Sequence, residues 1–128
     1  MRGPQLTLAL LLVLLVPAGC GPSAGSMAPV AAGTVDARVS TPTGDDLIFE
    51  PDVIQVPGGR SVTVTFENVS SQPHNLVFTG GITASTRTIV APGATDRFVI
   101  DAPTPGEHPF VCTIHQGMTG TLVVAGSS

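Results

Sequence analysis

The sequence predicts an all-β protein, a Greek-key β-sandwich of seven to eight strands, and three observations carry that expectation. The 15 Gly and 12 Pro of this 128-residue chain discourage long helices, since each Gly in a helix interior costs about 1 kcal/mol and each Pro about 3. The apolar residues come in short runs rich in Val, Ile, Thr and Phe, types that suit a pleated, half-buried surface. Gly or Pro turn signals stand between these runs at short intervals. With an apolar fraction of 42%, the chain is long enough for one core and too short for two domains of ordinary size.

Residues 1–19 read as an export signal. Arg2 gives a positive start, Leu6 to Val16 is an almost unbroken apolar run, and Ala18-Gly19 supplies small residues before Cys20. The run is too short for a spanning helix. With Cys20 directly after Ala-Gly the segment resembles a bacterial lipoprotein signal, in which that Cys becomes the lipidated first residue; Pro17 stands where the motif usually has an aliphatic residue. Residues 20–34, mostly Gly, Pro, Ala and Ser, read as a flexible linker because such a composition buries too little apolar surface to order itself. The expected globular domain is 35–125.

Within that domain Val35 to Val39 alternates as a first strand, and Ser40 to Asp46 is a polar loop. Leu47 to Glu50 and Val53 to Val56 are expected as extended segments separated by Pro51, and Pro57-Gly58-Gly59 is a turn. Val62 to Phe66 is the cleanest alternation in the chain, placing Val62, Val64 and Phe66 on one face and two Thr on the other, as a central strand with one wet side requires. After the loop Asn68 to Pro73, the segment His74 to Phe78 puts His74, Leu76 and Phe78 on a shared face. Gly80-Gly81 breaks the chain, Arg87 to Val90 resumes it, and Ala91-Pro92-Gly93-Ala94 turns it into Arg97 to Ile100. The last two strands are Glu107 to Cys112 and Gly120 to Val124. Phe110 shares parity with Cys112, as Met118 does with Leu122 and Val124, so both sulfurs are expected to face inward.

Five Arg, no Lys and nine acids give a net charge of -4, which is unlike a basic nucleic-acid surface. The chemistry gathers between the last two strands, in Cys112-Thr113-Ile114-His115-Gln116-Gly117-Met118. A thiolate, an imidazole and a thioether there, with a second imidazole from His74, are the ligand types that suit copper in a three-coordinate site with one weak axial bond. Taken singly, each residue has a plainer reading: His74 as a hydrogen-bonded core histidine, Cys112 as a small buried hydrophobe, Met118 as core filler. Cys20 and Cys112 are the only two cysteines, so theirs is the only disulfide possible. If Cys20 carries lipid instead, a bound metal is one physical reason to keep Cys112 in an oxidising compartment. His108 reads as structural or surface.

On these residues the stretch Val35 to Val124 resembles the cupredoxins, the small blue-copper proteins, and its Cys-to-Met loop is most similar to the short amicyanin-type loop, where plastocyanin-type loops are longer between His and Met. The resemblance implies that His74, Cys112, His115 and Met118 hold one copper ion, cycling between Cu(I) and Cu(II), and that Asn75 ties the two ligand segments together. Departures are His108 and Val111, where relatives often carry Tyr, and the loop Ser40 to Asp46, which looks like an insertion. The implied function is the transfer of single electrons between redox partners outside the cytoplasm, with a cytochrome, an oxidase or a reductase as partner and the ring edge of His115 at the surface. The chain is then expected as a monomer, periplasmic or on the outer face of the cell membrane, anchored through Cys20. A copper storage or delivery protein is the alternative, but such carriers use open Met-rich or His-rich tracts and only Met27 and Met118 follow the signal. The three His leave none for a second copper site, so catalysis by this chain alone is not expected. Asp45, Asp46, Glu50 and Asp52 form a loose acidic group suited either to guiding a basic partner or to simple solvation.

Overall fold

The computed structural model describes residues 33–126; the expected export signal, Cys20 and nearly all of the expected linker lie outside them. Seven strands are formed: β1 (Val35–Ser40), β2 (Val53–Val56), β3 (Val62–Glu67), β4 (Val77–Phe78), β5 (Thr95–Ile100), β6 (Gly106–Val111) and β7 (Thr119–Val124). They make two sheets, one of three strands in the order β1-β3-β5 and one of four in the order β2-β7-β6-β4. β1 pairs with β3, and β2 with β7, in parallel; the other pairings are antiparallel. The architecture is the expected all-β sandwich.

The period-two pattern explains which side faces inward. Val62, Val64 and Phe66 of β3 are fully buried while Thr63, Thr65 and Glu67 are not, so the central strand has the one wet side its alternation required. Facing it across the core lie Ile54, Val56, Phe110, Leu122 and Val124, the inward residues of the other sheet. Phe49 bridges the two layers, edge to face with Phe66 at 6.0 Å and with Phe110 at 5.0 Å between ring centroids, a geometry that aligns ring edges with ring faces.

Three expected strands are shorter than the sequence pattern implied. Leu47 to Glu50 contributes only a single bridge, Ser40 to Glu50, because Phe49 turns into the core while Leu47 and Ile48 stay exposed on an irregular segment. Arg87 to Val90 is no strand either. The Arg87 backbone N–H donates to the Asp96 carboxylate at 2.7 Å and its guanidinium to the Thr95 carbonyl at 2.8 Å, so side-chain bonds replace a ladder there. Of His74 to Phe78 only Val77 and Phe78 are ladder-paired, and His74 is held by an isolated bridge to Val90.

Candidate metal centre

The site forms at one end of the sandwich, from the segment entering β4 and the loop between β6 and β7. His74 is 1% exposed and its backbone is pinned on both sides, its N–H donating to the Val90 carbonyl at 3.1 Å and its carbonyl accepting from Val90 N–H at 2.8 Å. The loop that delivers it is built around Asn68, whose side-chain amide donates to the carbonyls of Gln72 at 2.7 Å and Val90 at 2.8 Å. The Asn68 Oδ1 accepts from the Thr41 hydroxyl at 3.1 Å and from the Ser70 hydroxyl at 2.9 Å. Asn68, Thr41 and Ser70 are all buried, and their bonds to one another let these polar groups sit beside the core at little net cost.

Cys112 follows directly on β6 and is 4% exposed. Its N–H donates to the Met118 carbonyl at 3.0 Å, which closes the ligand loop at its neck. Gly117 makes that closure possible at φ +85°, in the left-handed region where a side chain is disfavoured. His115 projects back from the loop, half-buried, with Nδ1 3.8 Å from Cys112 Sγ. His74 Nδ1 lies at the same 3.8 Å from that sulfur, and the two imidazole rings are 4.6 Å apart between centroids, tilted by 47°. The three donor atoms all fall within 4.8 Å of one another.

Those separations suit one ion. Metal bonds of about 2.0 Å to nitrogen and about 2.3 Å to sulfur, opened to a trigonal angle, put the two donors about 3.7 Å apart. Burial and, second, the nearby His115 ring push the His74 pKa down, keeping its imidazole neutral with a lone pair free to bind. Cys112 is a free, buried thiol. Two imidazole nitrogens and a thiolate form a donor set that copper matches by both softness and geometry, so the residues present fit a single copper ion.

Asn75 joins the two ligand segments. Its Oδ1 accepts from the Thr113 N–H at 2.8 Å, and its amide donates to the Thr113 hydroxyl at 2.7 Å and to the Thr88 carbonyl at 2.9 Å. Met118 is 1% exposed and lies in the same core cluster as Cys112. His108 stands apart, its Nε2 2.7 Å from the Thr104 carbonyl, and among the described residues the metal-competent group consists of His74, Cys112 and His115. Asp45, Asp46, Glu50 and Asp52 are exposed, and the last two line a groove that also takes in Leu47, Ile48, Gly117 and Thr119.

Sequence reasoning did not single out Asn68, Thr41 or Gln72. The last of these meets the His115 Nε2 with its side-chain oxygen at 3.1 Å. In one dimension they read as ordinary loop residues, because neither the bond over 43 positions from Gln72 to His115 nor the one over 27 from Thr41 to Asn68 leaves a local pattern.

The fold and this donor set define a class: a small β-sandwich with two imidazoles and a thiolate gathered at one end, where they would hold one metal ion. The family model described as the cupredoxin-like domain matches residues 8–124, and the chain belongs to that family. It is 35% identical over 92 residues to the chloroplastic plastocyanin of Hordeum vulgare, covering 63% of this chain and 57% of that protein. To the chloroplastic plastocyanin of Tetradesmus obliquus it is 30% identical over 112 residues, covering 79% and 74%. Among solved structures it is similar to dithionite-reduced auracyanin from Roseiflexus castenholzii, with 27% identity, a TM-score of 0.62, and coverage of 75% of this chain and 99% of that one.

Proposed function

We propose that this chain is a mononuclear blue-copper electron carrier working outside the cytoplasm, in which His74, Cys112, His115 and the Met118 thioether would hold the ion. The observation that carries this reading is the placement of both Nδ1 atoms at 3.8 Å from Cys112 Sγ. Copper bound there supplies a one-electron couple between its two oxidation states.

The chain's own residues keep the ligands still while that couple turns over. His74 is held by its backbone bridge to Val90, and Asn75 fixes the Cys112 segment against the His74 segment. Such bracing keeps the ligand positions common to both oxidation states, so little has to move with each electron. His115 is the half-buried ligand, and Ile114 beside it is 39% exposed. The electron's shortest way out is therefore through the His115 ring, beside the exposed Ile114, toward a redox protein such as a cytochrome, an oxidase or a reductase. The acidic residues beside the groove favour a partner with a basic rim.

Export through residues 1–19 and anchoring through a lipid on Cys20 complete the proposal, as does a monomeric state. The carrier reading is preferred to catalysis because two of the three His are committed to one site and the third, His108, is engaged with Thr104. Loading the purified protein with Cu(II) tests it: an intense visible absorption is expected, and Cys112→Ser should abolish it. A colourless copper-loaded protein, or a Cys112→Ser variant with an unchanged spectrum, would overturn the reading. Mass spectrometry of the mature protein checks the lipid on Cys20.

A further inference from the structure

His115 has two ring nitrogens, and the structure gives each a different neighbour. Nδ1 faces Cys112 Sγ, while Nε2 lies 3.1 Å from Gln72 Oε1. An amide oxygen can only accept, so this contact requires the proton on Nε2 and leaves the lone pair on Nδ1, the atom turned toward the sulfur.

The segment that carries Gln72 is held from its other side. The segment 40–46 folds against Ser71, with the Ser71 hydroxyl bonded to the Asp45 carboxylate and the Ser71 N–H donating to the Gly44 carbonyl at 3.4 Å. The Ser71 hydroxyl and then the Gln72 side chain hold the Asp45 pKa below its ordinary value. Asp45 thus holds Ser71, the residue directly before Gln72, while the Gln72 side-chain oxygen faces the His115 ring. The Gln72 backbone is itself held, its carbonyl accepting from the Asn68 amide and the Ser70 hydroxyl at 2.7 and 3.0 Å.

We infer that Gln72, its neighbour Ser71 braced by Asp45 in the loop Ser40 to Asp46, is the positioning residue for His115, fixing its ring and its tautomer for binding through Nδ1. The inference rests on the proposed role of His115 as a ligand. It assigns a function to the loop that looked like an insertion: a strut carrying order from the acidic surface to the half-buried ligand. Partners that orient a ligating imidazole typically change metal affinity by about 10- to 100-fold when removed.

The test uses the full chain in two forms. In the metal-free protein at about pH 8, where imidazole is neutral, nitrogen-15 NMR of the histidine side chains should find His115 almost wholly in the Nε2–H form. Gln72→Leu should give a mixture of tautomers, Gln72→Glu, which keeps an acceptor oxygen, should restore the Nε2–H form, and Asp45→Ala should give a smaller loss than Gln72→Leu. In the copper-loaded protein, release of Cu(I) to a competing chelator should be about 10-fold faster for Gln72→Leu than for the unaltered chain. A His115 tautomer that is mixed in the unaltered protein, or identical in Gln72→Leu, overturns the inference, and an Asp45→Ala variant indistinguishable from the unaltered protein removes the strut from it. Failure to bind copper at all would instead defeat the proposed function and leave the metal-free NMR result to decide the role of Gln72. Unfolding curves of the variants separate a loss of orientation from a loss of fold.

Discussion

Asn75 and Thr113 are hydrogen-bonded twice, backbone N–H to Oδ1 at 2.8 Å and amide to hydroxyl at 2.7 Å, although they are 38 residues apart in the chain. Each is the immediate neighbour of a proposed ligand, Asn75 of His74 and Thr113 of Cys112. The pair therefore sets the distance between the His74 and Cys112 donors before any ion arrives. Asn75→Ala leaves the Thr113 N–H and the Thr88 carbonyl without these partners, at a cost of about 1–3 kcal/mol. Chemical denaturation of the metal-free variant measures this, and a loss well under 0.5 kcal/mol would contradict the stapling role, a threshold set below about the smallest net value for one such bond.

A second prediction concerns the approach to His74. Asn68 is fully buried and serves two backbone carbonyls and two hydroxyls at once. Removing its side chain strands several polar groups together, so Asn68→Ala should destabilise by about 3 kcal/mol, more than Asn75→Ala. Equilibrium unfolding of the two variants side by side gives the ranking; the reverse order would show that the loop is held by something else.

Gly120 gives the third. It stands opposite Phe110 in the β6–β7 register, and a Cβ there would meet the Phe110 ring at 2.4 Å and the Asp52 carbonyl at 2.8 Å. Phe110 is fully buried and packed edge to face with both Phe49 and Phe78, so it has little room to swing aside. Gly120→Ala should cost about 3 kcal/mol through overpacking. Gly126→Ala, where nothing lies within 4 Å of the added carbon, should leave the unfolding midpoint almost unchanged and serves as the control.

The fourth follows from His74 in the metal-free protein. Burial lowers its pKa from 6.5, so below that value the unfolded chain takes up a proton that the native chain resists. The unfolded state then binds more protons, and stability rises with pH across the window between the lowered native value and about 6.5. Acidifying from pH 7 toward pH 5 should therefore reduce the melting temperature, and His74→Phe should remove that part of the slope while keeping a planar ring in the cavity, an expectation anchored on the ordinary histidine range near 6.5. A slope unchanged in His74→Phe would place the titrating group elsewhere.

What the sequence by itself determined is the class of fold, the inward faces of β3, β6 and β7 and the short Cys112-to-Met118 loop. These are local properties. Alternation in Val62 to Phe66 must point Val62, Val64 and Phe66 to one side wherever the strand lies, and Cys112 to Met118 carries thiol, imidazole and thioether within seven consecutive residues. The same local reasoning overstated the strands at Leu47 to Glu50 and Arg87 to Val90, since an apolar or extended run does not say whether a partner backbone will be present to pair with it.

Only the tertiary structure decided the rest. That His74 meets Cys112, that Asn75 reaches Thr113, that Asn68 reaches Thr41 and Val90 and that Gln72 faces His115 all depend on contacts between segments tens of residues apart. Such contacts have no periodic trace in the chain: a buried amide and a solvated one are the same letter, and they differ only in whether packing has removed the water that would otherwise satisfy them.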